Sequence, residues 1–298
     1  MILYAPDYYS KFRCIAEKCR HSCCIGWEID IDPETAEYYK NVSGKFGEKL
    51  RSNIDFLPEG GTFRLCKNGR CPFLNEKNLC EIYINLGEEA FCNICDDHPR
   101  FRNFYESRTE IGLGMCCEEA SRIIIEKREK TALVPLEGKA SDKVFPEEEE
   151  FFALREKAFS IVQNREKSIG ERAAELLGFF GLGLPEKSLA DWAEIYLGLE
   201  RLDEEWTEVL QKIKNEPSVP EIKDEIAAEQ ILCYYIFRHF GNLYPEEACA
   251  FAVLSLFMIE KAAEQTGIIE AARLYSSEIE YSDENTEKII DAINKWVG

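Results

Sequence analysis

Cysteine is the residue type in this chain whose number and spacing could do chemistry. There are 13 in 298 residues, and 11 of them fall at or before Cys117. The first group is Cys14-x4-Cys19-x3-Cys23-Cys24, followed by Gly26-Trp27. The second is Cys71-x8-Cys80-x11-Cys92-x2-Cys95, followed by His98-Pro99-Arg100. Cys116-Cys117 forms a third, while Cys66, Cys233 and Cys249 stand apart. Thiolates take soft or borderline metals, and four of them suit tetrahedral zinc or an iron–sulfur cluster. The competing reading is a disulfide framework, which needs an oxidising compartment. The opening Met-Ile-Leu-Tyr-Ala-Pro-Asp has no basic stretch before an apolar segment, so no secretory signal is expected and a cytoplasmic setting is. Metal ligation is therefore the stronger reading.

Adjacent cysteines face different ways in extended chain. Cys23 and Cys24 are not expected to grip one ion together, nor are Cys116 and Cys117. Eight or more thiolates exceed the needs of one zinc. One cluster plus one zinc, or two sites of one kind, fits the count. The Cys-x3-Cys-x2-Cys pattern of radical methyl-donor enzymes is excluded, because Cys24 follows Cys23 directly.

The elements that must position these thiols read as short and irregular. Asp32-Pro33-Glu34 is a helix start, with a helix expected to about Lys40 and another over about 44–53. Asn68-Gly69, between Phe63–Lys67 and Arg70–Phe73, predicts a hairpin. Two short helices are expected over 79–86 and 88–95, a second small hairpin over 101–112, and a helix over 118–130. Thr131 to Pro146, with Pro135, Gly138 and Pro146, reads as a linker or long loop. Helices are then expected from Pro146, whose four following glutamates suit a helix N-terminus, and over 171–180, 188–200, 203–214, 220–240, 245–265 and 283–296. The apolar run Ala248–Ile259 belongs at the centre of a bundle. The expected fold is mainly α: an irregular, metal-stabilised N-terminal part with short helices and small hairpins, then an α-helical bundle. The expected domains are 1–135, cysteine-rich and metal-binding, and 145–298, helical.

Charge follows the same division. The whole chain carries 36 basic and 56 acidic residues, a net charge of −20. So acidic a surface repels phosphate, which argues against nucleic acid as a partner. The longest apolar run is too short to span a bilayer, so no membrane partner is expected. Gly178-x-x-Gly181-x-Gly183 has no strand before it and reads as a helix stop, not a phosphate loop. Cys233 and Cys249 read as buried apolar residues, and His239 as a cation at a helix C-terminus. His21 reads as a second layer around a site or as surface. Arg100 and Arg122 read either as counter-charges to thiolates or as surface residues.

Several segments resemble the flagellin lysine-N-methylase family, and the wider cysteine-cluster proteins described as zinc- or iron-chelating. They are Cys-x4-Cys-x3-Cys-Cys-x2-Trp-x-Ile-x-Ile over Cys14–Ile31; Cys71-Pro72-Phe73-Leu74; Leu79-Cys80-Glu81-Ile82-Tyr83; and Leu86-Gly87-Glu88 leading to Cys95 and Pro99-Arg100. Cys117 with Glu119-Ala120-x-Arg122, and the late Tyr234-Tyr235-x-Phe237-Arg238, are similar too. The likeness is dense through residue 122 and thin afterwards. His98 stands where the family has tyrosine, and Cys66, Cys92 and Cys116 match no family cysteine. The resemblance implies Cys14, Cys19, Cys23, Cys24, Cys71, Cys80, Cys95 and Cys117 as metal ligands. It also implies an iron–sulfur cluster, of the 4Fe-4S kind, or zinc, and methyl transfer from S-adenosylmethionine to lysine side chains of a flagellin-like protein. Such transfer needs no metal at the reacting atoms, so the metal is expected to be structural. The alternatives are a zinc- or iron-binding redox protein without methyl chemistry, and a structural zinc module beside a helical interaction domain.

Overall fold

A computed structural model describes residues 2–139 and 145–297. The chain forms two compact units, Arg13–Arg100 and Met1–Phe12 with Phe101–Gly298. These units do not follow the seam at 135–145. The first strand, β1 (Ile2–Pro6), belongs to the helical unit, as do residues 131–139 of the stretch read as a linker.

In the cysteine-bearing unit β2 (Asp30–Ile31) leads into α1 (Pro33–Asn41) and α2 (Gly44–Ser52). Helix α1 begins as its sequence dictates: the Asp32 carboxylate accepts from the Thr35 N–H at 2.9 Å, with Pro33 in the first turn. Strands β3 (Ile54–Leu57) and β4 (Gly60–Phe63) complete an antiparallel sheet of order β2-β4-β3. Gly60 has φ +124°, and a Cβ there would lie 2.2 Å from the Ile31 carbonyl oxygen, so only glycine lets β2 approach. The hairpin predicted around Asn68-Gly69 is a correction. The tight turn is there, with Gly69 N–H donating to Cys66 O at 2.9 Å, but the paired strands are β3 and β4. Asn-Gly selects turn geometry and does not by itself recruit strands. The helix expected from residue 79 begins at Glu81 as α3 (Glu81–Leu86), and 88–95 resolves into a 3-10 turn, Glu88–Ala90, and α4 (Asn93–Asp97). Tyr39, Leu50, Phe63, Phe73 and Ile82 form the core of this unit together with Cys71 and Cys92.

After β1 the helical unit continues with β5 (Arg100–Phe104, from Phe101 onward) and β6 (Arg108–Leu113), the expected second hairpin, closed by Tyr105 N–H to Arg108 O at 3.0 Å. Then come α5 (Glu118–Ile125) and β7 (Leu133–Glu137). The sheet order is β5-β6-β1-β7, with β1 parallel to β6 and antiparallel to β7. Thus 133–137, read as linker, is a strand: Val134 and Leu133 pair with Ala5 and Pro6. The rest of that stretch, 140–144, lies outside the described residues. The remaining helices are α6 (Pro146–Val162), α7 (Ile169–Phe179), α8 (Leu189–Leu197), α9 (Glu204–Asn215), α10 (Glu225–His239), α11 (Pro245–Thr266), α12 (Ile268–Ile279) and α13 (Asp283–Val297). Ser168 and Ser188 close capping boxes with Glu171 and Asp191, and Asp203 caps α9. Helix α7 stops at the glycine-rich stretch, where Gly181 has φ +76°. Helix α11 is buried from Ala248 to Leu256, as its all-round apolar sequence requires. No described helix is long and apolar enough to cross a membrane.

One buried acid in this bundle makes a measurable prediction. Glu260 on α11 is 7% exposed. Burial first, and then the charge of Asp224, push its carboxyl up to about 7. A carboxyl raised in the folded state stabilises fully below its ordinary range, and that contribution is lost as pH rises toward 7. Glu260→Gln should therefore match the parent chain near pH 4.5 and be more stable at pH 8. The gain should be on the order of 1 kcal/mol, below full linkage because solvent screens part of the field. Melting followed at both pH values reads this as a rise of about 2–4 °C at the higher one only.

Candidate functional site

The cysteine-bearing unit gathers five thiols from four separate turns. Cys24 is brought to Cys71 by the backbone: Cys71 N–H donates to Cys24 O at 2.8 Å, and Gly26 N–H to Gly69 O at 2.9 Å. Cys80 is carried back over the same turn by an isolated bridge between Leu74 and Cys80, and by Glu81 N–H to Phe73 O at 2.7 Å. It then precedes α3. Cys92 precedes α4, and Cys95 lies within it, its N–H donating to Cys92 O at 2.9 Å. Asp32 ties this last turn down, accepting the Asn93 N–H at 2.9 Å on the oxygen not used to cap α1.

These thiols feel one another. Cys71 is pushed up to about 12, by burial first and then by Cys24, Cys80 and Cys92. Burial raises Cys80 too, with Cys24 and Cys92 adding to it. A hydrogen bond with Cys23 is the largest cause that brings Cys24 down to about 7; burial opposes it, while Ser22 and Arg70 help. Cys92 and Cys95 share a hydrogen bond that lowers Cys92 and raises Cys95. Like charges in one place oppose further ionisation. Five such groups lose their protons together only beside a strong positive charge, which is what a soft cation supplies.

The donor set therefore fits a thiolate-bound metal in chemical type. Among the described residues no three His, Cys, Asp or Glu side chains stand close enough together to hold an ion as they lie. Four of the eight ligands implied by the resemblance are in this group: Cys24, Cys71, Cys80 and Cys95. Cys92 is a fifth member that the resemblance left out, although the spacing Cys92-x2-Cys95 pointed to it. Cys23, a free thiol, is hydrogen-bonded to Cys24. Cys19 donates its S–H to His21 O at 3.1 Å. Cys14 is exposed and accepts from Ala16 N–H at 3.4 Å. Cys117 lies in the other unit, immediately before α5.

Within the helical unit a second polar cluster lies beneath the Cys116–Cys117 turn. The buried Cys116 thiol bonds to Tyr281. The Arg238 guanidinium lies 4.7 Å from the Phe101 ring and 5.2 Å from the Tyr281 ring. It donates to Tyr234 Oη at 2.9 Å and pairs with Glu280 at 3.1 Å. Glu280 is held below the ordinary carboxylate range: burial works against this, and the charge of Arg238 and the contact with His239 outweigh it. Tyr234 Oη also accepts the Met115 N–H at 3.1 Å, fixing the turn. His239 corrects its sequence reading. It stands in the last turn of α10 but is buried: burial lowers its pKa, against the opposing pull of Glu280, which lies 2.7 Å from its Nε2. Arg122 pairs with Glu119 and Glu126 on its own helix, so surface pairing describes it. Arg100 donates to Asp96 O at 2.7 Å. Cys233 and Cys249 are buried in the bundle, as expected.

The comparisons with known proteins bear out the resemblance. Over 134 residues, 43% of this chain, it is 28% identical to a lysine-N-methylase of Salmonella typhimurium, and the match covers 33% of that protein. The same figures hold for a lysine-N-methylase of Salmonella choleraesuis. The flagellar biosynthetic protein FliU of Salmonella muenchen is 28% identical over 134 residues, with 79% of its length covered. The matched stretch thus spans about a third of the two curated lysine-N-methylases. No protein-family model and no solved structure matches the chain.

Proposed function

We propose that this chain methylates lysine side chains of a flagellin-like protein with S-adenosylmethionine as donor. In this reading its cysteine-bearing unit is held by a thiolate-bound iron–sulfur cluster or zinc ion. The observation that carries it is the match to curated lysine-N-methylases. The five gathered thiols support a metal in the same chain.

The ligands would come from Cys24, Cys71, Cys80, Cys92 and Cys95. Four satisfy a tetrahedral or cubane centre, which leaves one to spare. When bound, such a group would supply positive charge that neutralises buried thiolates and would link the turns that carry them. The chain's own residues prepare this. Asp32 fixes the start of α1 and the Cys92–Cys95 turn with one carboxylate, and the strand-like contacts 24–71 and 74–80 set the remaining thiols. In the methylation step a neutral lysine amine attacks the sulfonium methyl carbon. The carbon–sulfur bond breaks toward sulfur, and the amine proton leaves to solvent. Desolvation of the lysine lowers its pKa and favours the neutral form.

Anaerobically purified protein tests both parts. Radiolabelled S-adenosylmethionine with flagellin should place label on lysine, and as-purified protein should contain iron with sulfide, or zinc. Absence of both label transfer and donor binding overturns the methylase reading. Metal without transfer would favour the metal-binding alternative.

A further inference from the structure

Two of the five gathered thiols sit in a single turn of chain. Cys92 is the N-cap of α4, with extended backbone at φ −70° and ψ 156°, and Cys95 is the third residue of that helix. Side chains at these two positions face one another, which is why a capping box joins them. Here both carry thiols, and the thiols share a hydrogen bond. The backbone holds the arrangement: the N–H groups of Cys95 and Asp96 both donate to Cys92 O, at 2.9 and 3.0 Å. Asp32 takes the Asn93 N–H between them at 2.9 Å.

Helix geometry puts Cα atoms three residues apart at about 5 Å, inside the roughly 4.4–6.8 Å that a disulfide spans. The other thiols are placed less well for a bridge. Cys24 and Cys71 form a hydrogen-bonded pair across antiparallel chain, where side chains stand farther apart than at the alternate positions. Cys80 comes from another turn. A bridge between the adjacent Cys23 and Cys24 would close a ring through one peptide bond and strain it. Cys92 is 1% exposed, but Cys95 is half-buried and Ile94 beside it is 48% exposed. Solvent therefore reaches the pair at Cys95.

We propose that Cys92 and Cys95 are a reversible redox pair, which a small disulfide oxidises to a Cys92–Cys95 bridge in the metal-free chain. The Cys95 sulfur attacks one sulfur of the small disulfide and forms a mixed disulfide. One small thiolate leaves, and it takes the Cys95 proton by way of solvent. Cys92 then attacks Cys95 Sγ, and its proton leaves with the second small thiolate. Two electrons pass from the two cysteines to the small disulfide, which ends as two thiols. The bridge leaves Cys24, Cys71 and Cys80, fewer than the four thiolates that a tetrahedral or cubane centre uses. Bridge and metal then exclude one another, and oxidation switches metal loading off. That consequence rests on the proposed metal site; the bridge rests on the geometry of the turn.

The test uses the full chain, freed of metal by a chelator under reductant and desalted without air. It is treated with glutathione disulfide, alkylated, and mapped by mass spectrometry. Cys92 and Cys95 should escape the alkyl label and appear as one linked pair lighter by two hydrogens, and dithiothreitol should restore both. Zinc added beforehand should slow closure at least about tenfold, and the bridged chain should bind zinc at least about tenfold more weakly until it is reduced. Free Cys92 and Cys95 after treatment, a lasting glutathione adduct on Cys95, or a dominant bridge between Cys24 and Cys71 overturns the proposal. A Cys92–Cys95 bridge that leaves zinc binding unchanged keeps the redox pair and removes both thiols from the proposed metal centre.

Discussion

Serine in place of Cys71 should unfold the cysteine-bearing unit of the metal-loaded protein, while costing the metal-free protein much less. Cys71 is 6% exposed and packs with Phe73, Leu74 and Cys92. As a packing change, sulfur to hydroxyl buries a polar group in apolar surroundings, at about 1–3 kcal/mol. As a ligand change in the proposed centre it would remove one of four thiolates, and binding there would be coupled to folding, a linkage of about 10–16 kcal/mol for structural zinc. The two costs separate cleanly. Denaturant unfolding of parent and variant, each as purified and after chelation, should show a deficit of several kcal/mol as purified and about 1–3 kcal/mol after chelation. Equal small deficits in both states would remove Cys71 from the ligand set. Cys92→Ser should behave like Cys71→Ser, and Cys14→Ser like the parent. That contrast sets the thiols gathered by the fold against the ligands implied by resemblance, which include Cys14 and omit Cys92.

Local chemistry was the legible part of this sequence. Asp32-Pro33 announced α1 because a cap and a fixed φ act within one turn, and the structure adds only that the second carboxylate oxygen reaches Asn93. Ala248–Ile259 announced the centre of the bundle because a helix apolar on every side has nowhere else to go. Non-local pairing was not legible. Strand β7 is built from Leu-Val-Pro-Leu-Glu, where Pro135 and the neighbouring glycine suggest a loop. It is a strand because β1, more than a hundred residues away, offers it an edge. Helix α12 escaped notice for a related reason. Glu270, Arg273 and Glu278 break its apolar period, yet all three are buried, Glu270 paired with Arg273 and Glu278 accepting the Leu202 and Asp203 N–H groups. A buried polar residue with a partner looks the same in sequence as an exposed one. At the candidate site the cysteine spacing alone carried Cys92. Which thiols meet was not legible, since it depends on the Cys24–Cys71 and Leu74–Cys80 backbone contacts.

The largest effect expected outside the thiol group lies at Glu110 on β6, which no sequence feature distinguished from a surface acid. Its side chain is fully buried, and three guanidinium nitrogens meet it: Nη1 and Nη2 of Arg155 at 2.7 and 2.6 Å, and Nη2 of Arg108 at 2.6 Å. Aromatic faces fill the remaining space, with Arg108 3.4 Å from the Phe152 ring centre and Arg155 within 5.8 Å of Phe151, Phe152 and Phe237. Glu110→Leu leaves two cations in that enclosure without their carboxylate. Removing one partner of a buried pair costs about 3–5 kcal/mol, because the other charge remains desolvated. Glu110→Leu should therefore lose about that much stability, and Arg155→Met less, because Arg108 still pairs with Glu110. The double variant should recover only the part owed to Arg155, since an apolar pair replaces that ion pair at little cost while Arg108 remains without its carboxylate. The double-mutant cycle, measured by denaturant unfolding, should give a coupling of at least about 2 kcal/mol. Single losses below about 1 kcal/mol would mean that water reaches the pair, as at a surface salt bridge. Then β6 and α6 would be joined by the Arg108 guanidinium against the Phe152 ring and not by this carboxylate.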